Sequence, residues 1–132
     1  MTFVLPEADI LARVFTRRDP DLLLIHQVTS QVRARTLLIG QWVRQALLAR
    51  TRDGRQFDRL AHALSAFPAP RLLPGDYIEA AHRQQRLREQ GVPIAHHHAL
   101  AWTVAERLHA QVWSNDKPWH ALAGQGCPCY VA

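Results

Sequence analysis

Helical patterns and short apolar runs alternate along the whole chain. Residues 55–67 give the clearest helix, because their apolar side chains recur at i, i+3, i+4, i+7 and i+10. The same reasoning predicts helices from residue 6 to about 17–20, over 21–32, around 43–47, over 77–89, over about 98–109 and over 119–122. The apolar run at 22–25 leaves a strand open as an alternative for part of the second helix.

Short apolar and β-prone runs lie between these helices. We predict strands at residues 2–5, 36–39, 71–73, 110–113 and 129–131. Strands separated by helices favour a parallel sheet that is covered on both faces. The sequence therefore predicts a single α/β domain over residues 1–132, with three α/β/α layers and a central, mainly parallel sheet of four or five strands.

Length and composition fit this picture. The chain has 132 residues, 48% of them apolar, which is enough to bury one core. Its apolar runs, such as residues 22–25, are far shorter than the roughly 20 residues of a membrane span. The first seven residues lack the basic start and long apolar stretch of a signal peptide. We expect a cytoplasmic protein that has no membrane partner.

The charge balance is basic and rich in arginine. The formal net charge is +5, the pI is about 10.2, and Lys117 is the only lysine among the 16 basic residues. Because a guanidinium grips two oxygens at once, this balance fits a nucleic-acid or acidic protein partner. The codon bias of a GC-rich genome also explains an excess of arginine, so both interpretations stay open.

Several residue groups invite a more specific interpretation. His96, His97 and His98 are consecutive and cannot all face one metal ion from a regular helix, whose ligands need i, i+3 or i, i+4 spacing. A polar opening of a helix is the alternative. Trp113 in an apolar strand and Trp119 on a short helix are predicted to be core residues. Trp102 lies off the apolar stripe of its helix, which predicts an exposed indole, and Arg83 is expected on a solvated helix face.

Residues 91–105 and 110–119 resemble the PIN-domain family, in particular the VapC-like toxin ribonucleases of toxin–antitoxin pairs. In that family a glycine, an apolar residue and a short loop precede Asp-Ala-Leu-Ile-Ala at the start of a helix. Here Gly91 and Ile94 lead to His98-Ala99-Leu100-Ala101. A strand ending in Thr-x-Asp and a short helix with an aromatic residue follow in the family. Asp116 and Trp119 occupy those positions here.

The resemblance implies an endoribonuclease whose acids hold Mg²⁺ or Mn²⁺, but most of those acids are replaced. Pro6 stands at the first acidic position and His98 at the third. The second position aligns with Ala46, or with Gln45 or Gln41 in a shifted register. Asp116 alone matches an acidic position. We therefore expect a vestigial site of Asp116 and His98, with no cofactor, little or no RNA cleavage, and Asp116 as the metal ligand if any ion binds.

Two other hypotheses remain. Glu7 or Asp9 could replace the first acid and, with His98 and Asp116, form a rearranged site in an active Mg²⁺- or Mn²⁺-dependent endoribonuclease. Otherwise these two acids stabilise the start of their helix. A third hypothesis is a non-catalytic protein-interaction module. RNA and an antitoxin-like protein are the expected partners, and the resemblance implies a homodimer.

Overall fold

The computed structural model describes residues 2–15 and 18–132, so Met1, Thr16 and Arg17 lie outside the description. The described residues form two strands and seven helices. In chain order these are β1 (Val4–Pro6), α1 (Ala8–Val14), α2 (Leu22–Arg33), α3 (Gln41–Ala49), α4 (Gly54–Leu64), α5 (Pro74–Glu89), α6 (His96–Leu108), β2 (Gln111–Trp113) and α7 (Lys117–Gly124). Across the described ranges, no helix has both the length and the apolar character required to cross a membrane.

The sheet is the main departure from the sequence prediction. β1 and β2 pair in parallel, with Leu5 opposite Val112. Single bridges add Leu37 beside β1 and Cys129 beside β2. The described chain is thus mostly helical, and the predicted three-layer domain with four or five strands is wrong.

Local chemistry explains why the outer segments do not extend into strands. The segment at Leu37 gives way to α3 after three residues, with Gly40 as the helix N-cap. Pro128 precedes the bridge at Cys129 and has no N–H to donate to a ladder. Residues 71–73 form no strand at all.

The helices lie close to their predicted positions, with ends set by capping. The apolar run at 22–25 belongs to α2, where the Asp21 carboxylate accepts a hydrogen bond from the Leu24 amide at 3.0 Å. Asp53 caps α4 in the same way through the Gln56 amide, at 2.8 Å. α1 ends at Val14, earlier than predicted; the predicted end at residues 17–20 falls partly outside the described residues.

Two hydrophobic clusters pack against opposite faces of the β1–β2 pair. Successive strand residues point to opposite faces, so Val4 joins one cluster and Leu5 the other. Trp113 and Trp119 are core residues, as expected, with 2% and 3% exposure. The prediction of an exposed Trp102 is wrong, because its side chain is only 3% exposed.

Arg44 ties the start of α3 to the end of α4. Its guanidinium donates to the carbonyls of Ile39 at 3.2 Å, Leu64 at 2.6 Å and Phe67 at 2.9 Å. The carbonyls of Ile39 and Phe67 have no backbone amide partner among the described hydrogen bonds, whereas the Leu64 carbonyl also accepts from the Phe67 amide at 3.1 Å. One side chain therefore fixes the position of α3, which carries Trp42 and Ala46.

Replacement of Arg44 should destabilise the fold. Arg44→Met keeps much of the apolar stem but removes three hydrogen bonds and leaves the carbonyls of Ile39 and Phe67 without a described donor, and we expect a loss of about 2–3 kcal/mol in the free energy of unfolding. Urea denaturation measures it. Arg50→Met, at the exposed end of the same helix, is the control and should change stability by less than about 0.5 kcal/mol. Equal losses in the two variants would contradict a clamping role for Arg44.

Candidate functional site

The candidate site lies where the two parallel strands end side by side. Glu7 follows β1 directly, and its amide donates to the carbonyl of Trp113, the last residue of β2, at 2.8 Å. The loop after β2 leads to Asp116, the N-cap of α7. The helices α3 and α6 complete a cavity of about 630 Å³. Its lining includes Glu7, Asp9, Trp42, Ala46, His98 and Asp116.

Glu7 is a buried acid at the bottom of this cavity. Its side chain is only 5% exposed, and its Oε1 accepts a hydrogen bond from Trp42 Nε1 at 3.1 Å. Burial raises the pKa of Glu7 to about 8. The hydrogen bond from Trp42 lowers this pKa, whereas the charges of Asp9 and Asp116 raise it. Glu7 is therefore mostly protonated at neutral pH.

Asp9 holds the loop between β2 and α7. Its Oδ1 accepts a hydrogen bond from the Ser114 hydroxyl at 2.9 Å, and its Oδ2 accepts one from the Asn115 amide at 2.8 Å. The Ser114 oxygen in turn accepts from the Asp116 amide at 3.0 Å. Both carboxylate oxygens of Asp9 are thus engaged in positioning Asp116. Neither Glu7 nor Asp9 caps α1 through its side chain.

His98 closes another side of the cavity from the first turn of α6. Its ring packs edge-on against Trp119, with centroids 4.8 Å apart, and lies 4.1 Å from the ring of His97. Burial lowers the pKa of His98 to about 4, and the neighbouring charge of His97 lowers it further. His98 is therefore a neutral imidazole at pH 7. All three consecutive histidines lie at the start of α6.

The structure thus brings most of the sequence-predicted site residues to one cavity. Pro6 does not line the cavity, because it is buried as the last residue of β1. Of the two glutamines considered for the second acidic position, Gln45 lines the cavity, whereas the Gln41 amide donates to the Pro70 carbonyl at 3.0 Å. Asp116 is exposed.

Metal binding at this site stays a matter of prediction. Within residues 2–15 and 18–132, no three His, Cys, Asp or Glu side chains are grouped so that they could hold a metal ion. Glu7 is buried, and both carboxylate oxygens of Asp9 already accept hydrogen bonds. That the site holds no metal, and that Asp116 would be the ligand if one bound, are expectations from sequence that remain to be tested.

Two residues of the cavity were not among the site residues predicted from the sequence. Trp42 provides the only side-chain hydrogen bond that the described residues make to Glu7, from 35 positions away in the chain. Its ring crosses Gly40 so closely that a Cβ there would lie 2.6 Å from the indole, which explains the glycine. Arg50, at the end of α3, adds a cation to the cavity rim.

Comparison with known proteins finds solved structures of similar fold but no matching family. No family model matches the chain, and no curated protein matches it. The chain is similar to one in VapBC2 from Rickettsia felis bound to a DNA fragment from their promoter, with 14% identity, 91% and 92% of the two chains covered, and a TM-score of 0.74.

Two further solved structures are similar over nearly the whole chain. FitAcB from Neisseria gonorrhoeae has 15% identity, coverage of 89% and 99%, and a TM-score of 0.65. FitAB bound to an IR36 DNA fragment has 10% identity, coverage of 97% and 94%, and a TM-score of 0.75. Identities this low establish likeness of fold alone.

These findings correct the assignment made from sequence. The PIN-domain, VapC-like ribonuclease interpretation is not supported, because the similar structures are VapBC and FitAB complexes, two of them with DNA. The small two-strand sheet also departs from the sheet that the family implies. Both the impaired and the active ribonuclease hypotheses are therefore abandoned. Residues 91–105 and 110–119 share an order of short elements with that family, which is a weak basis for kinship.

The state of Glu7 should make stability depend on pH. The folded pKa of about 8 lies above the ordinary value of 4.5, so the folded chain binds the extra proton between these values. Stability from this group is complete below about pH 4.5 and is lost as pH rises through 8. Glu7→Gln should remove this loss, and its advantage over wild type should grow by roughly 1 kcal/mol per pH unit between pH 6.5 and 8.

Urea denaturation of both proteins at pH 6.5, 7, 8 and 9 measures this difference. Both proteins carry His98, so its titration cancels in the difference between them. Glu89→Gln, an exposed acid at the end of α5, is the matched control and should run parallel to wild type at every pH. A Glu7→Gln curve that also runs parallel to wild type would show that Glu7 is ionised in the fold.

Proposed function

We propose that this chain is one component of a two-protein complex of the toxin–antitoxin type. In it the chain acts by binding a partner protein and, as part of the complex, DNA. The supporting observation is that 89–97% of the chain shares its fold with chains of VapBC2, FitAcB and FitAB. Those structures are complexes, and two of them contain DNA. A binding role of this kind is antitoxin-like rather than that of a nuclease.

The chemistry of the cavity supports binding over hydrolysis. Glu7 is protonated, both oxygens of Asp9 are engaged, and His98 is neutral. Asp116 is left as the exposed carboxylate in a cavity that also presents aromatic rings. A cavity that combines aromatic rings and hydrogen-bonding groups with the Asp116 carboxylate and the Arg50 guanidinium is suited to receiving side chains of a partner.

The start of α2 offers an apolar surface for that partner. Leu22 and Leu23 are 73% and 67% exposed, although Leu24 and Val28 on the same helix are buried in the core. Adjacent exposed leucines are costly in water, and covering them on association recovers about 25 cal/mol per Å². We therefore place the partner on this end of α2.

Other properties expected from sequence belong to the same proposal. RNA is a second nucleic acid that the complex would bind, and the chain itself would form a homodimer. The proposal also includes a cytoplasmic location and a single domain over residues 1–132. Light scattering of the isolated chain tests the homodimer.

We further propose that the partner is encoded by a gene beside that of this chain, and co-expression of the two proteins tests the main proposal. We expect the two to co-elute on size exclusion, and the complex to shift a DNA duplex taken from upstream of the gene pair. Leu22→Ser/Leu23→Ser should weaken the complex by about tenfold or more, because two apolar contacts are lost. Isothermal titration measures the change.

Tyr77→Ser/Ile78→Ser is the control, because these side chains form a comparable exposed pair on α5, at 55% and 62% exposure. Its binding should equal that of wild type. Failure to co-elute with the neighbouring protein would refute the proposal. Loss of binding only in the control variant would move the partner surface to α5.

A further inference from the structure

A second cavity, distinct from the candidate site, carries a concentration of positive charge. This groove, of about 400 Å³, runs between the end of α1 and the exposed side of α4, and none of its lining residues is shared with the candidate site. Arg18, Arg52 and Arg59 line it together with Gln56, and no lining residue is acidic.

The floor of the groove is held in place by packing. Phe15 packs edge-on against Phe67, with ring centroids 6.2 Å apart, and Leu60 packs against the same core cluster. The arginines therefore project from a supported surface. Of the described salt bridges, none involves Arg52 or Arg59, and both residues are exposed.

The nearby acids do not cancel this charge within the groove. The Asp53 carboxylate is used to cap α4, through the Gln56 amide at 2.8 Å. Asp58 also belongs to α4 but does not line the groove. The guanidinium groups of Arg52 and Arg59 remain available to an anionic partner.

We propose that this groove binds the phosphate backbone of duplex DNA, so that the chain contributes its own DNA contacts within the complex. The inference rests on the proposed function, which brings DNA to the complex. A planar guanidinium can donate two parallel hydrogen bonds to a phosphate, and the Gln56 side chain adds a polar group beside it.

The proposed function favours DNA over an acidic peptide as the occupant, because two of the similar structures contain DNA. Arg52 lies just before Asp53, the N-cap of α4, and Arg59 lies within that helix. Each DNA strand carries a phosphate about every 3.4 Å of its axis, so a duplex that lies along the groove presents phosphates to both arginines.

Fluorescence anisotropy with a labelled duplex of about 30 base pairs tests the inference. Wild type and Arg52→Gln/Arg59→Gln are titrated, as isolated chains and as complexes with the neighbouring protein, from about 50 to 300 mM NaCl. We expect the variant to lose about tenfold in affinity at 100 mM salt, and its salt slope to fall by about two. Arg71→Gln/Arg88→Gln is the control, with the same change in net charge at exposed positions outside the groove.

Three results would overturn the inference. The first is unchanged DNA affinity in the groove variant, and the second is an equal loss in the control, which would mean net charge alone matters. The third is tighter binding of a poly-glutamate peptide than of the duplex, lost in the groove variant. Thermal melting verifies that each variant is folded. Co-elution with the neighbouring protein should survive in the groove variant, so failure of the groove and failure of the proposed complex are separate results.

Discussion

The pairing of β1 with β2 is the constraint on which the rest of the site depends. Only three residue pairs form it, yet the parallel direction places the ends of both strands at one edge. The hydrogen bond from the Glu7 amide to the Trp113 carbonyl continues the pairing by one step. Glu7 and the loop to Asp116 therefore meet, although more than 100 residues separate them in the chain. Val4 and Leu5 anchor the pair by facing the two hydrophobic clusters.

Three carboxylates of similar intrinsic acidity occupy three different states around this edge. Glu7 is buried and holds its proton, because desolvation outweighs the single hydrogen bond from Trp42. Asp9, in the first turn of α1, accepts hydrogen bonds from the Ser114 hydroxyl and the Asn115 amide of the loop after β2. Asp116 is exposed. The environment, rather than the residue type, separates their roles.

The mistaken family assignment has a physical explanation. A glycine, a short loop, a helix and a strand followed by Asp116 form a sequence of elements that many mixed folds contain. Such local order does not reveal how many strands the sheet has. Here the segments at Leu37 and Cys129 each form one bridge. The start of α3 follows the first segment, and Pro128 precedes the second. The basic composition also did not distinguish between partners, since charge alone is shared by proteins that bind RNA, DNA or acidic proteins.

The sequence by itself determined the positions of the helices, because the 3.6-residue period and the caps at Asp21 and Asp53 are local. It also placed Trp113 and Trp119 in the core. Only the tertiary structure decided that Trp102 and Arg83 are buried against each other. The guanidinium carbon of Arg83 lies 4.2 Å from the centre of the Trp102 ring. Arg83 was expected on a solvated face, but its partner Glu106 lies 23 residues away, at 2.7 Å. Contacts between distant segments produce no periodic pattern in the sequence, so only the tertiary structure shows them.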